Sequence, residues 1–158
     1  MFGGLLAILI AAIAFVDARN LIIPDTLSAS LAAGGFAYQS WLASGIAWKA
    51  LAFAGIVAGL FLAIYIWFIR VRGVHGLGLG DVKMAGAASL WFSPWNFSLF
   101  LLITCITALL FVFFQYLRGA RLERRTKLPF GPFLGLGVFV TWFFENSGMP
   151  TFIPNGGI

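Results

Sequence analysis

Two stretches, Ala47 to Ile69 and Trp95 to Leu117, constrain this chain more than anything else in it. Between them they contain one lysine and no arginine, aspartate or glutamate. A helix rises 1.5 Å per residue, so about 20 apolar residues span the roughly 30 Å hydrocarbon core of a bilayer. Both stretches are long enough. Four further segments, Phe2 to Val16, Thr26 to Gly45, Leu77 to Phe92 and Pro129 to Phe144, the second and third of these weaker, complete a predicted all-α bundle of about six transmembrane helices. They form a single domain over residues 1–158.

Composition agrees: 61% of residues are hydrophobic, 9% are charged and the mean hydropathy is +1.00. A soluble domain of this size lacks the polar residues to cover so much apolar surface. The second segment is semi-polar, with Ser28, Ser30, Gly34, Gly35, Gln39, Ser40 and Ser44. The fourth is short and glycine-rich, with Gly76, Gly78, Gly80 and Gly86. Helices of this kind need close neighbours, which small residues admit, so both are expected inside the bundle.

The net charge of +5 suggests nucleic acid at first sight. The basic residues sit in gaps between apolar runs and not along one face, so they read as a topology signal instead, and no nucleic-acid partner is expected. Six crossings put Arg19, Arg70, Arg72, Lys83, Arg118, Arg121, Arg124, Arg125 and Lys127 on one side and only Lys49 on the other. The positive-inside rule makes the first side cytoplasmic. Trp41, Trp48, Trp67, Trp91, Trp95 and Trp142 fall mostly near segment ends, as an interfacial aromatic belt requires. The hydrophilic stretch Arg118 to Lys127 reads as a topogenic loop drawn to anionic membrane lipid, with Glu123 in surface ion pairs. A charged n-region is missing ahead of the first segment, which is therefore read as a retained helix and not a cleaved signal.

Ionisable groups at membrane depth are costly and mark function by default. Five carboxylates are available: Asp17, Asp25, Asp81, Glu123 and Glu145. Glu145 lies at the opposite face from the basic side. Asp25 follows Pro24 where the second helix starts, which suits a capping role, with direct catalysis the alternative. Asp17 closes the first apolar run, where it meets the negative end of that helix's dipole and gains nothing as a cap; it either serves chemistry or merely marks the helix end. Asp81 stands in Gly76-Leu77-Gly78-Leu79-Gly80-Asp81-Val82-Lys83, either as an N-cap of the fourth helix or as an acid that a substrate strand approaches over bare glycine backbone. Lys83 either orients an ionised Asp81 or snorkels to the interface.

Counting crossings puts Asp17 and Asp81 at the cytoplasmic ends of their helices, where they can meet. Two carboxylates a few ångström apart do not both ionise readily, so one keeps a proton while the other activates water. Other peptidase chemistries fare worse. Single His75 and single Cys105 make a His-rich or Cys-rich zinc site and a Cys/His pair poor readings, HExxH does not occur, and neither a metal nor a cofactor is expected. Cys105 reads as packing in the core or against lipid.

Phe15-Val16-Asp17-Ala18-Arg19 with Ile23-Pro24-Asp25, then Gly78-Leu79-Gly80-Asp81-Val82-Lys83, then Pro129-Phe130-Gly131-Pro132-Phe133 together resemble the bacterial type IV prepilin peptidases, a branch of the GxGD aspartyl peptidases. The resemblance runs from the first helix to the sixth. It implies removal of a short basic leader from prepilins or type II secretion pseudopilins, with a cut after glycine at the cytoplasmic face of the inner membrane. It also implies that Asp17 and Asp81 are the catalytic acids, with Arg19, Pro24, Asp25, Gly78, Gly80, Lys83, Pro129, Gly131 and Pro132 in supporting positions. The short fourth segment leaves room for an incoming substrate helix. The basic loop does not suit a basic leader and is not assigned to its recognition.

Many members of that family carry an N-terminal region with paired CxxC motifs, associated with methylation of the new N-terminus. Here the first helix begins at once and Cys105 stands alone, so the sequence is similar to the short, peptidase-only members that serve Flp or Tad-type pili, and methyltransferase activity is not expected. Two other classes compete. In a small transporter or channel component, Asp17, Asp81 and Lys83 would form a proton or ion relay. In a non-catalytic scaffold the small residues would only pack helices. A relay needs neither the Ile23-Pro24 turn nor the Pro-Phe-Gly-Pro element.

Overall fold

A computed structural model of the protein describes residues 2–42, 44–73, 77–119 and 128–147. His75, Gly76, Arg121, Arg124, Arg125, Lys127 and Glu123 lie outside the described residues, and so does the reading of the basic loop as a surface of ion pairs.

Among the described residues the chain forms six α-helices: α1 (Phe2–Asn20), α2 (Asp25–Leu42), α3 (Ser44–Trp67), α4 (Leu79–Ala88), α5 (Phe97–Leu117) and α6 (Gly131–Asn146). A π-helical turn, Phe68–Arg72, closes α3, and 3₁₀ turns at Ser89–Trp91 and Pro94–Asn96 connect α4 to α5. Proline sets two of the starts. The Pro24 carbonyl accepts from the N–H groups of Leu27 and Ser28 at the head of α2, and Pro132, which has no N–H to lose, sits in the first turn of α6.

α1, α3 with the π-turn that follows it and α5 with the 3₁₀ turn that precedes it are long and apolar enough to cross a membrane. The protein is an all-α integral membrane protein. α4 spans only about 15 Å by its own rise, but the chain from Leu79 to Ser93 still traverses the bundle: Asp81 lies near the start of α6, and Ser93 bonds to Glu145 at its end. Irregular backbone at membrane depth persists only where protein covers it. Met84 through Phe92 are all buried accordingly. α4 packs against α2, α3 and α6, while α1 packs between α2 and α6, and α5 lies along α6.

Close approach explains the glycines. A Cβ on Gly35 would lie 2.7 Å from Leu90 Cβ and 3.0 Å from the Trp91 ring, and one on Gly86 would lie 2.9 Å from Ala58 Cβ. Trp91 is fully buried in this seam. Its indole N–H donates to the Leu31 carbonyl at 2.9 Å and its ring stacks on Tyr38 with centroids 5.8 Å apart. Trp91 is therefore a core residue and not part of the aromatic belt. The indole fills the space that Gly34 and Gly35 leave open, and the carbonyl satisfies its one donor. Trp41, Trp48, Trp67 and Trp95 are exposed, as a belt requires, and Cys105 is exposed as well.

Candidate active site

Asp17 belongs to the stripe Leu6, Ile13, Asp17, the three buried residues of α1. Their spacing of seven and four residues holds one face of a helix inward. α1 runs on past Val16 to Asn20, so this acid sits inside the last turn and not beyond it. At 4% exposure it is almost wholly enclosed, and its Oδ2 accepts the N–H of Gly131 at 2.7 Å.

Gly131 is the first residue of α6, so its N–H is one of the donors a helix leaves without an intrahelical partner. Asp17 gains nothing from its own helix, as expected, yet it caps the N-terminus of another. The partial positive charge there favours a carboxylate. A side chain on Gly131 would meet that carboxylate, since its Cβ would fall 2.8 Å from Oδ2 and 3.1 Å from Cγ. Pro129, Gly131 and Pro132 thus form the tight entry to a helix that receives Asp17. Phe130 supplies the backbone carbonyl that closes the first turn, accepting from Phe133 and Leu134 at 3.1 Å.

Asp81 sits in the first turn of α4, three residues after the N-cap Gly78. It is not the N-cap itself: the extended backbone of Gly78 places the cap there, and Asp81 Oδ2 reaches back to accept the Gly78 N–H at 3.1 Å. That is the returning half of a capping box, with Asp81 in place of the usual Glu or Gln. Asp81 is half-buried and lies within Coulombic range of Asp17. The two acids therefore occupy one end of the bundle, each on the N-terminal donors of a helix.

Gly80 is open to the chain between α1 and α2. A Cβ there would fall 3.0 Å from Ile23 Cβ, so only a glycine lets Ile23 press against the start of α4. Lys83 turns away from Asp81. Its Nζ pairs with Asp25 Oδ1 at 2.7 Å while the side chain stays half exposed. Asp25 is the first residue of α2, with the cap supplied by the Pro24 carbonyl. Arg19 is exposed, its guanidinium 4.3 Å from the Phe15 ring centroid. Glu145 lies at the other end of α6, where it accepts from the Ser93 N–H and from Asn96 Nδ2 at 2.8 Å and ties the α4 to α5 connection in place. The role of Glu145 carries no sequence signal, because its partners are backbone and a distant amide. No group of three His, Cys, Asp or Glu that could hold a metal is found among the described residues.

Fold and site define the class: an all-helical, multi-pass membrane protein with two carboxylates gathered at one end of its bundle. The chain belongs to the type IV leader peptidase family, whose profile matches residues 4–113, a span that includes Asp17 and Asp81. It is 33% identical over 156 residues to the prepilin leader peptidase/N-methyltransferase of Burkholderia pseudomallei strain 1026b, covering 98% of this chain and 48% of that protein. The proteins of the same name from Legionella pneumophila and Aeromonas salmonicida strain A449 are 29% and 27% identical over 146 residues, covering 91% and 90% of this chain and 50% and 49% of theirs. The chain spans about half the length of these relatives. No solved structure matches it.

Proposed function

We propose that the protein is an aspartyl endopeptidase that removes the leader from type IV prepilins or type II secretion pseudopilins, cutting after a glycine at the cytoplasmic face of a bacterial inner membrane. The single observation carrying this reading is the convergence of Asp17 and Asp81 from helices 64 positions apart in sequence onto one end of the bundle. Two carboxylates that feel each other's charge do not both ionise readily, so that one acts as acid toward the scissile amide while the other takes a proton from water. The Gly131 and Gly78 N–H groups hold the two carboxyl groups in place. Bare backbone at Gly78 and Gly80 lets an extended substrate approach.

The side carrying Arg19, Arg70, Lys83 and Arg118 at helix ends supports a cytoplasmic site. Lipid covers the exposed apolar flanks of α1, α3 and α5. Residues 1–158 act as one peptidase domain, and the substrate is a prepilin helix that reaches the acids from the bilayer. The ion-relay alternative requires Lys83 in line with both acids, and Lys83 is committed to Asp25 instead.

Cleavage of a full-length prepilin by the purified, detergent-solubilised protein tests this reading. Wild type is expected to release the leader after glycine, and Asp17→Asn and Asp81→Asn each to lower the rate by at least about 10²-fold, the usual share of a general acid or base. Full activity in either variant would remove that aspartate from the pair.

A further inference from the structure

The connection between α1 and α2 touches both acids' surroundings. Its first residue, Leu21, donates its N–H to the Asp17 carbonyl at 2.8 Å. Two residues on, Ile23 is buried against Gly80, the neighbour of Asp81 in sequence. Two further on, Asp25 pairs with Lys83 at 2.7 Å. Residues 21–25 therefore form a strap that starts on the backbone of one acid and ends on the helix that carries the other.

Each contact restrains a different freedom. The Leu21 bond fixes where the strap leaves α1. Ile23 against Gly80 sets the depth at which α4 begins, because a glycine has no side chain to yield. The ion pair sets the rotation of α4 about its axis. Lys83 lies two residues, or about 200°, around the helix from Asp81, so drawing Lys83 toward α2 turns Asp81 to the opposite side. The pair is half open to solvent, with the two side chains 51% and 76% exposed. An exposed pair contributes little to global stability. Its leverage is geometric, since a displacement of about 1 Å at reacting groups costs up to about 10²-fold in rate.

We infer that Asp25 and Lys83 are positioning residues: their ion pair locks the strap 21–25 onto α4 and so sets the approach of Asp81 to Asp17. The inference rests on the peptidase reading for its kinetic consequence, but the approach of the two acids is measurable without activity.

Two measurements test it. The first compares prepilin cleavage by wild type, Asp25→Asn, Lys83→Met and the charge-exchanged double variant Asp25→Lys/Lys83→Asp. Each single change is expected to lower kcat about tenfold with KM within twofold and the detergent melting temperature unchanged, and the exchanged pair to recover most of that loss. Unaltered kcat in both singles, or a rise in KM alone for a basic leader, would overturn the positioning role; the second pattern would make Asp25 a leader-binding residue. The second measurement joins Asp17→Cys to Asp81→Cys with a short bis-thiosulfonate linker in a Cys105→Ser background. Cross-linking is expected to fall about threefold when Lys83→Met is added and to return with the exchanged pair. An unchanged yield sinks the strap even if wild type proves active, whereas inactive wild type with a Lys83-dependent yield sinks the peptidase reading and leaves the strap standing.

Discussion

At Gly131, the N–H that holds Asp17 and the missing side chain that makes room for it belong to the same residue. Gly131→Ala drives a methyl group against the carboxylate, and overpacking of this kind costs about 1–3 kcal/mol. Because the easiest relief is movement of Asp17, the expected result is a loss of cleavage larger than the loss of stability, read by parallel activity and melting measurements on the purified variant. Leu21 presents the opposite case. It is the one non-glycine residue with positive φ among those described, at 54°, just past the end of α1. An L-residue pays roughly 1–2 kcal/mol there, and glycine returns part of this as chain entropy. Leu21→Gly is expected to raise stability by about 0.5 kcal/mol, seen as a higher denaturant or thermal midpoint in detergent. Gly131 belongs to a motif and Leu21 lies between two parts of another, but the left-handed turn at Leu21 has no sequence signal, since leucine does not favour it.

Among the elements, α4 is the one that other helices must shelter. Its mid-membrane irregularity is tolerated because α2, α3 and α6 cover it. Gly35 is the narrowest point of that cover. Gly35→Val places side-chain carbons against Leu90 and Trp91, neither of which can move without opening the buried seam. It should lower the melting temperature by several degrees and open the seam around Trp91 to water, a change visible as a red shift in tryptophan emission when Trp91 is the only tryptophan retained. The interior placement of α2 and α4 was legible from their small and polar residues. The limits of α1 were not: apolar character stops at Val16, while the helix continues through Asp17 to Asn20 because the carboxylate is satisfied by α6 and not by water.

For the whole molecule, six helices of alternating direction put Asp17, Asp25, Lys83 and the start of α6 at one end, and Lys49, Ser93 and Glu145 at the other. If the basic end is cytoplasmic, a membrane-impermeant maleimide applied to intact spheroplasts should label Lys49→Cys in a Cys105→Ser background and should reach Arg19→Cys only after permeabilisation. The reverse pattern would place the acids on the outer side and remove the cytoplasmic prepilin as substrate.

Composition and the spacing of apolar runs were enough to determine that this chain is a helical membrane protein, because a bilayer core admits few backbone solutions and demands runs of a set length. Three short motifs named the residues proposed for the site. Only the tertiary structure decided how those residues are used. It assigned Asp17 to the head of α6, Asp81 to the third position of its own helix, Lys83 to Asp25 and Trp91 to the core. Each of these depends on a partner between 58 and 114 positions away or on a local turn geometry, and periodicity along a chain carries no record of which helix end meets which side chain across a bundle.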